Sequence, residues 1–172
     1  DGSKLAIGTT ISKSGAKSIF SISDVCTGQI CYNESSYGDD GSHASTVCRW
    51  NPKIEGQIAW AINSPEVSYG GLYLVDAEKK KSERIEGVKS YWNSGLIPMD
   101  GYIDWIDWHQ DGNLLALGIS DDGHNYSSVW LYDRRGEDLK ELFRHGIPDT
   151  NNRDYELPCG KWSPNGGKLA IG

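Results

Sequence analysis

The chain is poor in methionine, phenylalanine and proline, with 1, 2 and 6 among 172 residues. No apolar run approaches the roughly 18 to 20 residues that a helix needs to cross a bilayer, so no membrane span is expected. Basic residues are in the minority: 17 Lys and Arg face 24 Asp and Glu, a net charge of −7. Nucleic-acid binding, which needs a basic face, is therefore not expected, and neither is a polybasic anchor on an anionic membrane. There is no Cys-x-x-Cys, no His-x-x-x-His and no Gly-x-Ser-x-Gly. Those absences remove the spacing of a structural zinc site and the nucleophile elbow of a hydrolase. The opening residues, Asp1-Gly-Ser-Lys4, do not read as a secretory leader, so the chain is expected to be mature, processed or a fragment.

What is abundant points one way. Seven Trp and nine Tyr lift the aromatic content to 10%, and glycine numbers 21. Aromatic, Gly-rich and Met-poor composition suits many short strands joined by tight turns. So many aromatics need a core, which argues against disorder. The size is that of one ordinary domain.

The chain repeats itself. Asp1-Gly-Ser-Lys-Leu-Ala-Ile-Gly8 and Asn165-Gly-Gly-Lys-Leu-Ala-Ile-Gly172 agree at six of eight positions. Weaker copies are Gln57-Ile-Ala-Trp-Ala-Ile62 and Asn113-Leu-Leu-Ala-Leu-Gly118. The central alanines, Ala6, Ala59, Ala116 and Ala170, are separated by 53, 57 and 54 residues. Each later copy follows a Trp and a turn: Trp50-Asn-Pro, Trp108-His-Gln-Asp-Gly and Trp162-Ser-Pro-Asn-Gly. Each of the first three precedes an alternating strand that ends in Asp24, Asp76 or Asp133, lying 18, 17 and 17 residues beyond its alanine. A period of this size marks stacked supersecondary units.

Each unit reads as four strands. Strand A runs into the Trp and a turn reverses the chain. Strand B is the Leu-Ala-Ile-Gly element, and strand C stops at the Asp, which caps the next turn. Strand D is clearest as Ser82-Glu-Arg-Ile-Glu86 and Leu139-Lys-Glu-Leu-Phe143. Four antiparallel strands in about 55 residues form one propeller blade. Small residues such as Ala6, Ala59, Ala116 and Ala170 suit close packing of neighbouring blades, and Trp50, Trp108 and Trp162 are expected to fill the gaps between them. The expected fold is all-β: a β-propeller of about three four-stranded antiparallel blades in one unit, residues 1–172. Its repeats span approximately 1–50, 51–108 and 109–162, with 163–172 starting a further blade.

Trp162-Ser-Pro-Asn-Gly-Gly-Lys-Leu-Ala170 resembles the Trp-Ser-Pro-Asp-Gly-Lys-x-Leu-Ala hallmark of the WD-like repeats of TolB-type β-propellers, with Asn for Asp and one extra Gly. Asp1-Gly-Ser-Lys-Leu-Ala6 matches its second half, Trp108-His-Gln-Asp-Gly-Asn-Leu-Leu-Ala116 lacks the Pro, and the turn after Trp50 is longer. The resemblance covers nearly the whole chain and implies the fold. That family includes periplasmic binding partners, cell-surface proteins and propeller domains that gate peptidases, and no catalytic residue belongs to its repeat. Closed propellers typically have four to eight blades. The expectation is therefore a segment of a larger propeller, or one completed by oligomerisation, with two copies closing a six-bladed ring or building a fibre.

Chemistry is sparse. His43, His109, His124 and His145 fall in loops or turns, and Lys79-Lys-Lys81 reads as a solvated tip. Asp39-Asp-Gly and Asp121-Asp-Gly read as solvated turns, since neither fits a twelve-residue calcium loop. Asp104 and Asp107, three apart on a strand, should face opposite sides and form no acid–base pair. No catalytic residue, metal or cofactor is expected. Cys26 and Cys31 enclose Thr-Gly-Gln-Ile, a loop a disulfide could staple, and the even Cys count suits an oxidising compartment. Asn33-Glu-Ser35 and Asn125-Tyr-Ser127 form glycosylation sequons, which arise often by chance.

Binding residues are sought on loops. In a propeller the D–A loops share a face with the B–C loops. Tyr91, Trp92 and Tyr102, with His124 and Tyr126, are the candidate ligand-binding residues there, able to stack on a sugar or anchor a peptide. The reading is a non-catalytic, exported binding or assembly scaffold (periplasmic, cell-surface or secreted) with a protein, peptide or glycan partner. Its alternatives are a propeller domain attached to a hydrolase or peptidase, and a structural subunit of an extracellular polymer.

Overall fold

Three aspartates end three strands, and each folds the chain back on itself. Asp24 Oδ1 accepts the amides of Cys26 and Thr27 at 3.0 and 2.8 Å. Asp76 Oδ1 accepts those of Glu78 and Lys79 at 3.1 and 3.0 Å, and Asp133 Oδ1 that of Arg135 at 3.0 Å. A carboxylate that satisfies amides two and three residues on mimics a backbone turn and makes a strand stop at a fixed residue.

A computed structural model of the chain describes residues 2–11, 17–37, 45–63, 70–85, 102–120, 126–146 and 159–172. Thirteen strands and no helix occur among the described residues. The first sheet holds β1 (Lys4–Ile11), β2 (Lys17–Asp24) and β3 (Ile30–Tyr37). The second holds β4 (Ser45–Trp50), β5 (Gln57–Asn63), β6 (Gly71–Asp76) and β7 (Lys81–Arg84), in that order. The third holds β8 (Tyr102–Trp108), β9 (Leu114–Ser120), β10 (Tyr126–Asp133) and β11 (Asp138–Gly146). A fourth contains β12 (Gly160–Trp162) and β13 (Leu169–Ile171). All pairings are antiparallel between neighbours in sequence. Two full four-stranded sheets thus appear where the repeat placed them. The sequence repeats start one strand later than the sheets, because each closes on strand A of the next sheet.

The sheets stack face to face. Between the first and second lie Phe20, Ile22, Ile58, Trp60, Ile62 and Val75, all essentially inaccessible. Phe20 and Trp60 stack with ring centroids 5.1 Å apart. Between the second and third lie Ala59, Ala61, Leu72, Ile106, Leu115 and Leu117 among others. Between the third and fourth lie Trp105, Ala116 and Val129, with Trp162 and Leu169 against them. Ala59 and Ala116 are fully buried in these seams, Ala6 is half-buried and Ala170 is exposed.

The tryptophan ending each strand A reaches back to the sheet before it. Trp50 packs against the first seam, and Trp108 Nε1 donates to Arg49 O at 3.3 Å. Trp162 meets His109 edge-on at 4.9 Å. The ring that fills the third seam is one the repeat did not single out. A Cβ placed on Gly118 would lie 2.0 Å from Trp105 Nε1, and one on Gly160 would lie 2.1 Å from its ring carbons. Trp105 therefore occupies space that two glycines in adjacent sheets leave open.

One sequence expectation is corrected here. Cys26 and Cys31 are free thiols, as are Cys48 and Cys159. The Asp24 amide donates to Gln29 O at 2.9 Å and closes the hairpin between the two cysteines. Cys26 sits in the turn beyond that pair, while Cys31 lies two residues down β3, roughly 6–7 Å the other way. A disulfide needs Cα atoms within about 7 Å, so the hairpin itself holds the thiols apart.

Candidate functional site

The two ends of the sheets differ. At one end lie the A–B turns (51–56, 109–113, 163–168) and the C–D turns (25–29, 77–80, 134–137). At the other lie the B–C and D–A connections, of which 85–101 and 147–159 are the longest.

The turn end is tied together blade to blade. Asn51 Oδ1 caps its own turn, accepting the amides of Lys53 and Ile54 at 2.9 and 3.0 Å. Its Nδ2 crosses to the next sheet and donates to Gly112 O at 2.9 Å. His109 repeats the arrangement one sheet on: its Nε2 lies 3.1 Å from Gly166 O. Asn51 and His109 each follow the tryptophan of strand A, and Gly112 and Gly166 are turn glycines at φ +72° and +71°. The four aspartates that cap these turns, Asp24, Asp76, Asp111 and Asp133, are held ionised. The Thr27 amide is the main cause at Asp24, the Lys79 ammonium at Asp76 and the Arg135 guanidinium at Asp133; each carboxyl lies below its ordinary range. Burial pushes Asp111 up, but the Asn113 amide and the facing His109 outweigh it and hold the carboxyl at about 2. Lys79 of the Lys79–Lys81 run pairs with Asp76 at 2.7 Å. A groove of about 410 Å³ opens between the second and third sheets at this end, floored by Leu74, Ile85 and Tyr132 and rimmed by Lys81, Glu83 and Arg134.

The rest of the seams carry polar latches that the sequence did not reveal. Asn63, at the end of β5, donates to Ile103 O at 2.9 Å and accepts from Ile103 N at 2.8 Å. Asp107 is buried and its Oδ2 accepts the Trp162 amide at 2.9 Å, with Lys161 Nζ 3.4 Å from its other oxygen. Ser82 donates to Glu34 at 2.6 Å across the first seam, where the Tyr32 hydroxyl also donates to Glu34. The Tyr32 hydroxyl is held protonated, by burial first and by Glu34 second. These carboxylates act as clamps on neighbouring strands. Asp104 stands at a bulge between Ile103 and Trp105, so the ideal alternation used to separate it from Asp107 does not hold there. Asp104 is half-buried and Asp107 is committed to the fourth sheet. Among the described residues no group of three His, Cys, Asp or Glu could hold a metal.

Of the residues expected at the connection end, Tyr102 is half-buried at the start of β8, its Cα opposite Ser120. Tyr126 begins β10 opposite Gly146. Tyr91, Trp92 and His124 lie outside the described residues, as do Asp39-Asp-Gly, Asp121-Asp-Gly and His43.

The inner strands of successive sheets touch in order, β1 with β4, β4 with β8 and β8 with β12, so the sheets radiate from one side. Among solved structures, the β-propeller domain of the Trilobed protease from Pyrococcus furiosus aligns with 84% of this chain and 40% of its own, at 18% identity and TM-score 0.55. The fold is a β-propeller. Pyrococcus horikoshii acylaminoacyl peptidase aligns with 85% of this chain and 24% of its own, at 15% identity and TM-score 0.53. TolB from Acinetobacter baumannii aligns with 97% and 51%, at 14% identity and TM-score 0.40. The propeller chain thus spans less than half the length of the first two structures. No protein-family model and no curated protein matches its sequence. The β-propeller expected from its repeats agrees with the first two of these folds. Among the described residues no helix is long and apolar enough to cross a membrane.

Proposed function

We propose that this chain is a non-catalytic binding module of an exported protein, holding a protein, peptide or glycan partner at the end of the blades where the B–C and D–A connections emerge. One observation carries the reading: the asymmetry of the two ends. Short, capped turns clamp one another at the first end through Asn51, Gly112, His109 and Gly166. The longest connections join the strand ends opposite those turns, and all five candidate aromatic or histidine positions, Tyr91, Trp92, Tyr102, His124 and Tyr126, fall within or directly beside the B–C and D–A connections in sequence. A rigid body with variable loops at one end binds by surface complementarity and needs no bond chemistry.

Lysine cross-linking of the full-length protein in a native extract, read by mass spectrometry, tests this. Intermolecular links are expected from Lys13 and Lys89. Links only from Lys53, Lys79, Lys80 and Lys168 would overturn it.

A second reading, a propeller domain joined to a hydrolase, is favoured by the two neighbours above TM-score 0.5, which are a protease and a peptidase by their own description. Hydrolysis of blocked peptidyl-coumarins by the full-length protein would support it.

A further inference from the structure

The second and third sheets pack tightly around Ala59, Leu115 and Leu117 and part towards the turn end, leaving the groove of about 410 Å³. That volume falls within the roughly 300–1,000 Å³ of small-ligand sites. Strand register builds its walls. On one side Glu83 lies opposite Leu74, and Lys81 lies opposite Asp76. Alternate residues of a strand share a face, so Lys81 and Glu83 stand on the face from which Leu74 meets the core of this seam. On the other side Tyr132 pairs with Leu139, both on that same core, and Arg134 and Glu137 follow in the turn beyond β10.

Four charged side chains of these walls have no ionic partner among the described residues: Lys81 and Glu83 from one sheet, Arg134 and Glu137 from the other. Asp76 and Lys79 beside them satisfy each other at 2.7 Å. Arg134 Nη2 donates to Asn113 Oδ1 at 3.2 Å, while its buried Nε has no hydrogen-bond partner among the described residues. Tyr132 is 2% exposed, and its hydroxyl makes no hydrogen bond to a described residue. A buried hydroxyl ordinarily has one. The charges acting on it are chiefly those of Glu137, Arg134 and Glu83, so it lies among the groove's own charged groups. Burial first, and Glu137 second, push it up and keep it protonated, able both to donate and to accept.

The unpaired charges balance, two of each sign. A ligand of one sign would be attracted by two of them and repelled by the other two. A neutral ligand with many hydroxyls meets no such conflict, because each hydroxyl donates to a carboxylate and accepts from an ammonium or guanidinium. Such charge-assisted bonds are about twice as strong as neutral ones. The apolar floor of Leu74, Ile85 and the Tyr132 ring suits the C–H face that a sugar ring presents beside its hydroxyls. We infer that the groove between the second and third blades is a binding site for a neutral oligosaccharide, with the Tyr132 hydroxyl at its floor and Lys81, Glu83, Arg134 and Glu137 around its rim. This site lies at the turn end and is independent of the binding role proposed for the other end.

Isothermal titration calorimetry of the full-length protein with maltohexaose, cellohexaose and N-acetylchitohexaose, and with the zwitterion leucylglycine, tests this. At least one of the sugars is expected to bind, more tightly than the dipeptide, and with an affinity that changes less than about twofold between 20 and 200 mM NaCl, since no net charge is exchanged. Tyr132→Phe, which keeps the ring and its packing, should weaken that binding about three- to tenfold. Lys81→Gln with Glu83→Gln, which leaves the core and the net charge unaltered, should weaken it about threefold or more. Lys53→Gln with Glu55→Gln, an equally balanced pair outside the groove, should change it less than about 1.5-fold. Near-UV circular dichroism checks that each variant folds, and the exposed rim pair keeps the test open if Tyr132→Phe does not. Binding of none of the three sugars, tighter binding of leucylglycine, or sugar binding that neither groove variant weakens overturns the inference. Cross-links from Lys13 and Lys89 report separately on the connection end.

Discussion

Asn63 holds both backbone polar groups of Ile103 on the neighbouring blade, donating to its carbonyl at 2.9 Å and accepting from its amide at 2.8 Å. Strand β8 is the inner edge of its sheet, and an edge strand leaves a row of amides and carbonyls without a ladder partner. The Asn63 carboxamide supplies one rung of that ladder from a different blade. It is 2% exposed, so water cannot replace it.

Removing this rung should be costly. Each buried backbone group left unsatisfied costs about 1–3 kcal/mol, so Asn63→Ala is expected to lose about 2–4 kcal/mol of stability. Asn63→Asp, of nearly the same shape, should fare no better, because a carboxylate cannot donate to Ile103 O. Urea denaturation measures both; a loss under about 1 kcal/mol for Asn63→Ala would show that the seam stands without the rung.

Gly118 and Gly160 leave room for the Trp105 ring, so Gly118→Ala should cost about 1–3 kcal/mol by overpacking. Trp105→Leu should relieve most of that penalty. The double variant measures the coupling: full additivity would mean the methyl is accommodated elsewhere.

Gly112 and Gly166 combine a positive φ with a side chain from the preceding blade overhead. A Cβ on Gly112 would lie 2.5 Å from Asn51 Oδ1, and one on Gly166 would lie 2.1 Å from His109 Nε2. Alanine at either site should lower thermal stability by roughly 1–3 kcal/mol, more than the left-handed backbone alone requires. Thermal melts of Gly112→Ala and of Gly112→Ala with Asn51→Ala separate the two contributions.

The Asp111 carboxyl, held at about 2, links stability to acid. Its folded pKa lies below the ordinary carboxylate value, so its contribution is complete above that value and fades as pH falls from about 4 towards 2. Asp76, Asp133 and Asp24 act in the same direction. Thermal midpoints between pH 6 and pH 2.5 should fall less steeply for Asp111→Asn than for the parent. An unchanged slope would remove Asp111 from the account.

Thiol reactivity should divide the cysteines. Cys26, Cys31 and Cys159 are exposed, whereas Cys48 is half-buried, with burial pushing its thiol up and its Sγ 3.7 Å from Ala6 O. Three thiols are expected to react promptly with an aromatic disulfide reagent and Cys48 slowly. A native mass two daltons below the reduced value would instead reveal a bridge.

Much of this architecture was legible beforehand, because blades repeat and repeats leave copies. The Ala-to-Asp spacing gave strands B and C, and the terminal Asp residues cap turns as their chemistry suggested. The seams were harder to read. Trp105 and Trp60 fill gaps between sheets, yet nothing at those positions recurs in every copy. Asn63 follows the apolar run that ends at Ile62, and its partner lies forty residues away. Alternation reports which side of a sheet a residue faces, not which blade lies opposite, and the bulge at Asp104 breaks even that. For Cys26 and Cys31, nearness in sequence was misleading, because a hairpin turn sends flanking residues apart.

The contacts from Asn51 to Gly112 and from His109 to Gly166 run in one direction around the axis. The third sheet presents Gly112 to its predecessor and His109 to its successor, so the same kind of grip serves both of its seams. A whole unit copied or deleted in the gene would meet the same hand and the same grip on either side. Such a joint lets a stack of blades change its number of members without new fitting surfaces.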